Sequence, residues 1–371
     1  MARIGLLYPV KDPTSPANWS GTPRGLHDGF LANGVEVVPV GLEISPLVRP
    51  FVALLSRVGT AGPIEAHRHP VHTAARSRVL IRSLRQAQPL DALLAMDTEL
   101  YELPRVLGES QLPTVTYDDG TFAQFLRHPD SEVRRFRFDP EAVASWAERQ
   151  GAACRRATLC CVSTGWAANS VVQDYRVPPE RVRVVGMGHR PRSASAAERD
   201  WSRPRFLFVG VEWGRKNGAA VLEAFRAVRD RYPEATLDLV GEHPAVDQPG
   251  VRGHGLLRRE DAQAQRRLDD LYAAATAFVL PSRFDPSPIA YLEAASAGLP
   301  VVATTEGGAG DLLGEAAITV APDDAPGLVS AMLQLADPEM ARKRGAEALR
   351  RAAESSWQSV TARILAALEL R

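Results

Sequence analysis

The sequence has few of the features that would place it in a specialised structural class. Only three of its 44 basic residues are lysines, and it holds only three cysteines, Cys154, Cys160 and Cys161. A small, odd, clustered set does not indicate a disulfide framework, so we expect buried thiols around one strand in a reducing cytoplasm. No apolar run reaches the length of a membrane-spanning helix or of a signal-peptide core, so we expect neither membrane insertion nor export.

Other absences narrow the function classes. The 44 acidic residues balance the 44 basic ones, so net charge gives no reason to expect a nucleic-acid partner. No Gly-x-Gly-x-x-Gly follows the first strand of either half, which argues against a nicotinamide oxidoreductase. No Asp-x-Asp triplet follows a strand, and His67, His69 and His72 lack a recognised ligand spacing. We therefore expect no metal and no cofactor.

The remaining pattern is strand alternating with helix, which predicts an α/β protein with doubly wound parallel sheets. The predicted elements include a helix at roughly 218–231, a strand at 317–320 and a helical final stretch from about 339 to 371. Its 371 residues exceed what one core usually supports. We predict two Rossmann-like domains that face a cleft. Their predicted ranges are 1–188 for an acceptor-side domain, 189–204 for a linker, 205–355 for a nucleotide-sugar-binding domain, and 356–371 for a C-terminal helix returning to the first domain.

Residues 45–89 interrupt the first domain. They carry one acid, Glu65, against seven arginines, and include the apolar run 50–55. One interpretation is a contact surface for a membrane or an anionic acceptor. The other, which we favour, is a solvated helical excursion in an arginine-biased chain. The arginines are Arg49, Arg57, Arg68, Arg76, Arg78, Arg82 and Arg85.

The strongest local signal lies in residues 281–300. A strand ends there, and a helix is predicted to begin with Ser287 as N-cap and Pro288 at its first position. The free amide groups of Ile289 and Ala290 would favour an anion such as phosphate. Glu293 would lie about 7.5 Å along the axis from Pro288, close to the span between a diphosphate and ribose hydroxyls.

Three further loops follow predicted strands, where ligands of doubly wound sheets bind. In the run 209–218, Gly210 permits a sharp exit and Arg215-Lys216 can project two positive charges. The loop 19–24 contains Gly21, whose backbone could approach a ligand, although glycine in a turn is usually only a turn. Thr22 is the predicted N-cap of the helix that follows, with Pro23 at its first position. The run 117–122 offers carboxylates to sugar hydroxyls, or an aspartate as the next helix N-cap.

These motifs resemble a known family. Asp285-x7-Glu293, followed by Gly298-Leu-Pro-Val-Val, resembles the E-x7-E signature of family-four retaining glycosyltransferases, which have a GT-B fold. The runs 210–218 and 307–308 resemble their diphosphate loop and their donor-side glycine loop. Residues 162–163 with 184–188 resemble the family's run into the linker. The resemblance spans nearly the whole chain and is most specific from 206 to 320.

The resemblance implies a role for each matching residue. Arg215 and Lys216 would neutralise the donor diphosphate, Glu293 would hold the ribose, and Asp285 would face the transferred sugar. The implied donor-binding set is Gly21, Gly210, Arg215, Lys216, Asp285, Ser287, Pro288, Ile289 and Glu293. The implied catalytic set is Asp285, Lys216, Arg215 and Asp119, and backbone around Gly255 and Leu256 would contact the base. The first acid of the motif is Asp285 rather than the usual glutamate.

The predicted activity is transfer of a sugar from a nucleotide-diphosphate-sugar to an acceptor hydroxyl, with retention, without a metal, in carbohydrate or secondary-metabolite biosynthesis. The acceptor is a small molecule, a glycan or a lipid-linked glycan. The alternatives are a sugar-nucleotide epimerase of the same fold and a catalytically silent nucleotide-sugar-binding partner. The predicted location is cytoplasmic, with peripheral contact at the inner membrane face through residues 45–89 if that segment is a contact surface.

Overall fold

The computed structural model describes residues 1–57, 60, 62–192 and 199–370. The chain forms two compact units, one of residues 1–186 with 357–371, the other of residues 187–356. Within the described residues, no helix combines the length and the apolar character needed to cross a bilayer.

The first unit is built on a six-stranded sheet in the order β2-β1-β3-β4-β5-β6, with every pair parallel. Its strands are β1 (Arg3–Leu7), β2 (Glu36–Val40), β3 (Ala92–Ala95), β4 (Thr114–Asp118), β5 (Leu159–Val162) and β6 (Val182–Val184). Its helices are α1 (Thr22–Ala32), α2 (Arg49–Leu55), α3 (Pro63–Arg68), α4 (Pro70–Ala87), α5 (Leu103–Leu107), α6 (Phe122–Arg127), α7 (Glu132–Arg135), α8 (Pro140–Arg156) and α9 (Gly165–Gln173).

The second unit contains a parallel sheet in the order β12-β11-β10-β7-β8-β9. Its strands are β7 (Arg205–Glu212), β8 (Thr236–Glu242), β9 (Val251–Gly253), β10 (Ala277–Val279), β11 (Val301–Thr304) and β12 (Ala317–Val320). Its helices are α10 (Gly218–Arg231), α11 (Ala262–Ala274), α12 (Ile289–Ser296), α13 (Ala309–Leu313), α14 (Ala325–Ala336) and α15 (Pro338–Ala353). The predicted fold class, two doubly wound parallel sheets, is confirmed.

Burial explains why the inner strands contain few polar residues. Every residue of β3, β10 and β11 is buried, because helices cover both faces of a parallel sheet. The three cysteines are free and buried, Cys154 on α8 and Cys160 and Cys161 on β5, so they act as small apolar side chains.

The C-terminal stretch from 339 is helical, as predicted, but it forms two helices. After α15 the chain turns at 354–356 and forms α16 (Trp357–Ala367). α16 belongs to the first unit and packs on α1, where Asn33 donates hydrogen bonds to the Gln358 carbonyl at 2.9 Å and to Thr361 at 2.8 Å. The prediction that the last helix crosses back to the first domain is confirmed.

The described parts of the predicted linker alternate between exposed residues, such as Arg190 and Arg203, and buried ones. Arg192 and Arg199 are 3% and 8% exposed. Arg199 donates to the carbonyls of Ala297 at 2.7 Å and Gly298 at 3.1 Å, at the end of α12. Burial lowers the pKa of Arg199 to about 10. These residues therefore join the second unit, while residues 193–198 of the predicted linker lie outside the described residues.

Candidate functional site

The basic pair of the second unit lies in a compact loop between β7 and α10. The Lys216 amide donates to the Glu212 carbonyl at 2.9 Å, and the Arg215 side chain pairs with the Glu212 carboxylate at 2.9 Å. Asn217 adopts a left-handed conformation and donates to the Pro322 carbonyl at 2.8 Å. The Arg215 carbonyl of this loop also accepts a hydrogen bond from the Arg283 amide. These bonds fix both cations beside residues 283–285.

Lys216 and Asp285 form a close ion pair. The Lys216 ammonium donates to Asp285 Oδ2, which also accepts from Ser282 Oγ at 3.0 Å and lies 3.6 Å from an Arg215 nitrogen. The Lys216 and Asp285 side chains are 12% and 8% exposed. Burial lowers the pKa of Lys216, and the Asp285 carboxylate opposes that shift. The structure therefore brings three of the predicted site residues into contact.

Gly210 has a different role from the one predicted. It lies inside β7 rather than at a sharp exit from the strand. A Cβ at this position would approach Lys216 Cγ to 2.8 Å, so glycine leaves room for the lysine stem to lie against the strand. The neighbouring strand β8 approaches closely at the same point, where Gly241 has φ +125° and faces the Gly210 carbonyl.

A second close backbone approach joins Asp285 to the loop after β11. The Asp285 amide donates to the Glu306 carbonyl at 3.0 Å, and the Gly308 amide donates to the Pro286 carbonyl at 2.9 Å. Gly307 has φ +141°, and a Cβ there would collide with the Asp285 carbonyl. The glycine pair 307–308 therefore lets this loop lie beside the start of α12.

Helix α12 begins one residue later than predicted. Pro288 is the N-cap, in an extended conformation, and Ile289 is the first helical residue, so Ser287 is not the cap. The reason is the backbone of Pro288, whose ψ of 115° is not helical. Tyr291 anchors the helix over the sheet, donating to the Leu280 carbonyl at 2.6 Å. The first amides of α12 have no intrahelical acceptor and lie at the carboxyl end of the sheet.

Glu293 is buried on α12 among arginines that the sequence did not connect with it. Its Oε2 lies 3.1 Å from an Arg192 nitrogen, and its Oε1 lies 3.7 Å from an Arg259 nitrogen. Arg192 also pairs with Asp269 at 2.6 Å. Glu293 Oε1 is buried and accepts no hydrogen bond from the described residues. Because arginine is abundant in this chain, no sequence signal distinguished Arg192 and Arg259 from the others.

The predicted base-binding residues follow β9. Gly255 has φ +64°, its amide donates to His243 Nε2 at 3.2 Å, and its carbonyl accepts from the Gly241 amide at 2.9 Å. Leu256 is 39% exposed. The His243 ring lies 6.3 Å from the Trp213 ring of the basic loop, so the two loops are neighbours.

In the first unit, Gly21 follows a left-handed turn. Trp19, Ser20 and Gly21 have φ of 35°, 54° and 88°, which costs energy at the first two positions. Gly21 is the N-cap of α1, so the predicted N-cap Thr22 is instead the first helical residue. The Trp19 ring packs 6.0 Å from the Tyr117 ring on β4, which places the turn beside the end of that strand.

Asp119 follows β4 at this end of the sheet and is partly buried. Neither aspartate of the run 117–122 caps the following helix. Thr121 caps α6 through a capping box with Gln124, because its hydroxyl accepts from the Gln124 amide while the glutamine side chain reaches back. Asp118 is buried and accepts from Gln150 Nε2 at 2.9 Å. Burial raises its pKa well above the usual range.

An acidic cluster near Asp119 was not predicted. Asp97 follows β3 with φ 48° and is hydrogen-bonded with Tyr8, which follows β1. Burial, followed by repulsion from Glu99, raises the pKa of Asp97 to about 7, and Asp119 adds to that shift. Glu99 pairs with Arg68 at 3.3 Å. The position of Asp97 directly after a buried strand was the available signal, but the run 97–99 contains no motif.

The three histidines lie around the junction of α3 and α4. The His67 and His72 rings are 5.8 Å apart. Burial, with repulsion from Arg76, lowers the pKa of both to about 4. Within the described ranges, no group of three His, Cys, Asp or Glu side chains has a geometry that could hold a metal ion.

The two parallel sheets, with a basic loop and a helix start at carboxyl ends of the second sheet, have the architecture of a GT-B fold. Solved structures support this fold. A sucrose-phosphate synthase from Thermosynechococcus elongatus aligns with a TM-score of 0.67 at 17% identity, covering 98% of this chain and 97% of that one. A UDP-forming α,α-trehalose-phosphate synthase from Burkholderia vietnamiensis aligns with a TM-score of 0.68 at 12% identity, covering 99% and 96%.

Sequence comparison shows which family the second unit is similar to. Residues 203–337 match the family described as Glycosyl transferases group 1, which confirms the predicted resemblance. A glycogen synthase from Mycobacterium tuberculosis is 33% identical over 182 residues, which is 46% of this chain and 42% of that protein. The chain thus spans less than half the length of this curated relative.

Proposed function

We propose that this chain is a glycosyltransferase that moves a sugar from a nucleoside-diphosphate sugar to an acceptor hydroxyl, with retention and without a divalent ion. One observation carries the proposal. Inside the stretch that matches the family, Arg215, Lys216 and Asp285 converge next to the loop that leads into α12. Cations and helix-start amides together suit a diphosphate.

The donor diphosphate would replace Asp285 as the main anionic partner of the basic pair. Breaking the bond between the sugar and the diphosphate builds negative charge on the departing phosphate. Arg215 and Lys216 are already held in place by the Glu212 and Asn217 contacts, so they need little reorganisation to stabilise that charge. Asp285, released from the lysine, would accept a hydrogen bond from a hydroxyl of the transferred sugar.

Glu293 suits the ribose. Its Oε1 is buried and has an unused hydrogen-bond capacity, which costs free energy unless a ligand donates to it. Arg192 orients the carboxylate through Oε2. A ribose hydroxyl that donates to Oε1 would satisfy this oxygen.

The proposed chemistry balances without an added reagent. The acceptor oxygen forms a bond to the anomeric carbon on the face from which the diphosphate departs. The bond between that carbon and the phosphate oxygen breaks, and the departing phosphate oxygen takes the acceptor proton. The products are a glycoside of unchanged anomeric configuration and a nucleoside diphosphate.

The names of similar proteins indicate the substrate class. The glycogen synthase and the UDP-forming trehalose-phosphate synthase suggest a nucleoside-diphosphate hexose, with UDP among the nucleotides to test first. The matching relatives are named as transferases, which does not favour the epimerase alternative. The acceptor is a sugar, a glycan or a lipid-linked glycan.

A thermal-shift screen against UDP, GDP, ADP and TDP sugars tests donor binding, followed by turnover with an acceptor panel. We expect stabilisation by one nucleotide class, unchanged activity in EDTA, and retention in the NMR coupling of the product's anomeric proton. Inversion would refute the retaining mechanism, and loss of activity in EDTA would refute metal independence. Binding without turnover across the panel would instead support the silent binding partner.

A further inference from the structure

Helix α2 of the first unit presents an apolar face to solvent. Thirteen large hydrophobic side chains are exposed among the described residues, and five of them fall within nine positions around this helix. Phe51 and Leu54 are 68% and 66% exposed. Clustered exposed apolar side chains mark an interaction surface, whereas single ones do not. The five are Leu47, Val48, Phe51, Leu54 and Leu55.

The spacing of these residues shows why the face stays exposed. Phe51, Leu54 and Leu55 fall on one side of α2 at 3.6 residues per turn, and Leu47 lies in the turn that precedes the helix. The other side carries Val52 and Ser56, which are buried at 6% and 1% exposure and tie α2 to the first unit. The helix packs against α4 with that inner side. The outer face is therefore not used in folding the unit.

Exposed basic side chains flank α2 in the sequence and lie on α4, the helix against which α2 packs. Arg49, Arg57, Arg78, Arg82 and Arg85 are all exposed, and the one acid of residues 45–89, Glu65, is buried. Glu65 accepts a hydrogen bond from the Asp139 amide at 2.9 Å and so belongs to the interior. The exposed part of this segment thus combines apolar and positive character without negative charge.

A groove continues the basic surface. It has a volume of ≈ 670 Å³ and lies between α4 and the end of β2, lined in part by Lys11, Glu43, Ser45, Arg78 and Arg82. Lys11 pairs with Glu43 at 2.8 Å, so Arg78 and Arg82 supply the positive charge of the groove. Arg78 and Arg82 are one turn apart on α4. Ser45 links the groove to α2, because its carbonyl accepts the Arg49 amide at 2.9 Å. The groove and the apolar face are therefore neighbours on one side of the first unit.

We propose that α2 and this groove form a docking surface for a membrane that carries anionic lipid headgroups. Phe51 and Leu54 enter the boundary between headgroups and acyl chains, and Arg78 and Arg82 bind lipid phosphates at the groove. An apolar face flanked by arginines has this chemistry, because burial and electrostatic attraction act together. The chain lies on the membrane through this face, in keeping with the absence of a spanning helix among the described residues.

Vesicle co-sedimentation of the full chain tests the proposal without any sugar donor. We expect binding to vesicles of equal parts phosphatidylcholine and phosphatidylglycerol, weakened by salt, and little binding to phosphatidylcholine alone. Phe51→Ser with Leu54→Ser should lower the affinity at least about tenfold, from lost apolar burial. Arg78→Ala with Arg82→Ala should lower it by about fivefold for each arginine removed.

Matched controls lie in the second unit. Arg266→Ala with Arg267→Ala removes two exposed arginines from α11, and Leu349→Ser removes an exposed leucine from α15. Both controls should bind vesicles like the unmodified chain, and circular dichroism verifies that every variant is folded. Equal binding to neutral and anionic vesicles, no binding, or equal losses in the controls would overturn the proposal. So would a dimer of the unmodified chain that Phe51→Ser with Leu54→Ser disperses, because a second copy would then cover the face.

Discussion

At the scale of single residues, the lysines differ in their exposure to solvent. Of its three lysines, Lys216 is enclosed beside Asp285, while Lys343 is exposed on α15. A lysine is a flexible point charge that loses hydration when buried, so its enclosure requires an anionic partner. Asp285 provides that partner in the ligand-free chain, and the proposed function assigns the same place to a diphosphate.

We predict that Lys216→Ala lowers kcat/KM about 10²- to 10³-fold, the range seen when one donor to a developing charge is removed. Steady-state kinetics with the donor found in the thermal-shift screen measures the effect. Lys343→Ala is the matched control and should stay within about twofold, since a surface change far from such features has little effect. If both variants turn over like the unmodified chain, Lys216 does not belong to the site.

Asp97 gives a prediction about pH. Its pKa is raised from 3.8 to about 7 in the folded chain, first by burial. The folded state therefore holds this proton more tightly than the unfolded state, and the stabilisation present at low pH is lost as the pH rises between about 3.8 and about 7. Asp97→Asn removes this loss and keeps a polar group beside Tyr8.

As the pH rises between those values, the free energy of unfolding of Asp97→Asn should increase relative to that of the unmodified chain by at least about 1 kcal/mol. Above that range the difference should stay constant. Urea unfolding at a series of pH values measures the difference. Asp91→Asn, at an exposed position just before β3, is a control for the change in charge. A pH-independent difference would show that Asp97 titrates at its ordinary pKa.

At the scale of elements, α1 and α16 pack closely because α1 carries glycines. A Cβ on Gly29 would approach the Trp357 carbonyl oxygen to 2.5 Å, and a Cβ on Gly25 would collide with the Trp357 ring. At Gly29 the nearest atoms are backbone, which cannot move aside as the end of a flexible side chain can. The glycines of α1, which the sequence alone marks as poor helix formers, are thus required by the partner helix.

Gly29→Ala should therefore destabilise the chain by about 1–3 kcal/mol, as overpacking does, although alanine is by itself the better helix former. Gly310→Ala on α13 is the control, since a Cβ there meets nothing within 4 Å. That change should be neutral or stabilising by up to about 1 kcal/mol. Chemical denaturation of both variants checks the signs, and equal stability of the two would contradict the packing argument.

At the scale of the whole molecule, the chain crosses between its units twice. Val360 and Ile364 of α16 complete the core that Leu26 and Phe30 of α1 share with β1. Deleting residues 357–371 should therefore unfold or loosen the first unit while leaving the second unit folded. Limited proteolysis should then cut first within residues 1–186, and the transition of the second unit should remain in calorimetry. Loss of both units together would contradict this division.

Much of the architecture could be predicted because it depends on local patterns. The helix 218–231 and the strand 317–320 have the predicted bounds, since caps and apolar periodicity fix them locally. The loop that holds Arg215 and Lys216 could also be predicted, because it follows a strand of a parallel sheet. The contact between Lys216 and Asp285 required the structure, since 69 residues separate them.

Some local predictions failed by one residue, at the starts of α1 and α12. At each of these starts the two candidate N-caps, threonine or glycine and serine or proline, differ by little free energy. The backbone conformation in the tertiary structure therefore determines which residue caps the helix. Glu293 shows the same limit at longer range. Its motif identified it, but its pairing with Arg192 and Arg259 depends on how residues 192 and 259 pack beside α12.

The sequence by itself determined the class of fold, two parallel sheets with basic and acidic motifs at strand ends, because periodicity and turn residues act over a few positions. Only the tertiary structure decided which charges meet, which glycines a neighbour requires, and that the face of α2 remains uncovered. Those outcomes depend on close packing between distant segments, where a difference of one side chain or a few tenths of an ångström changes the sign of the free energy.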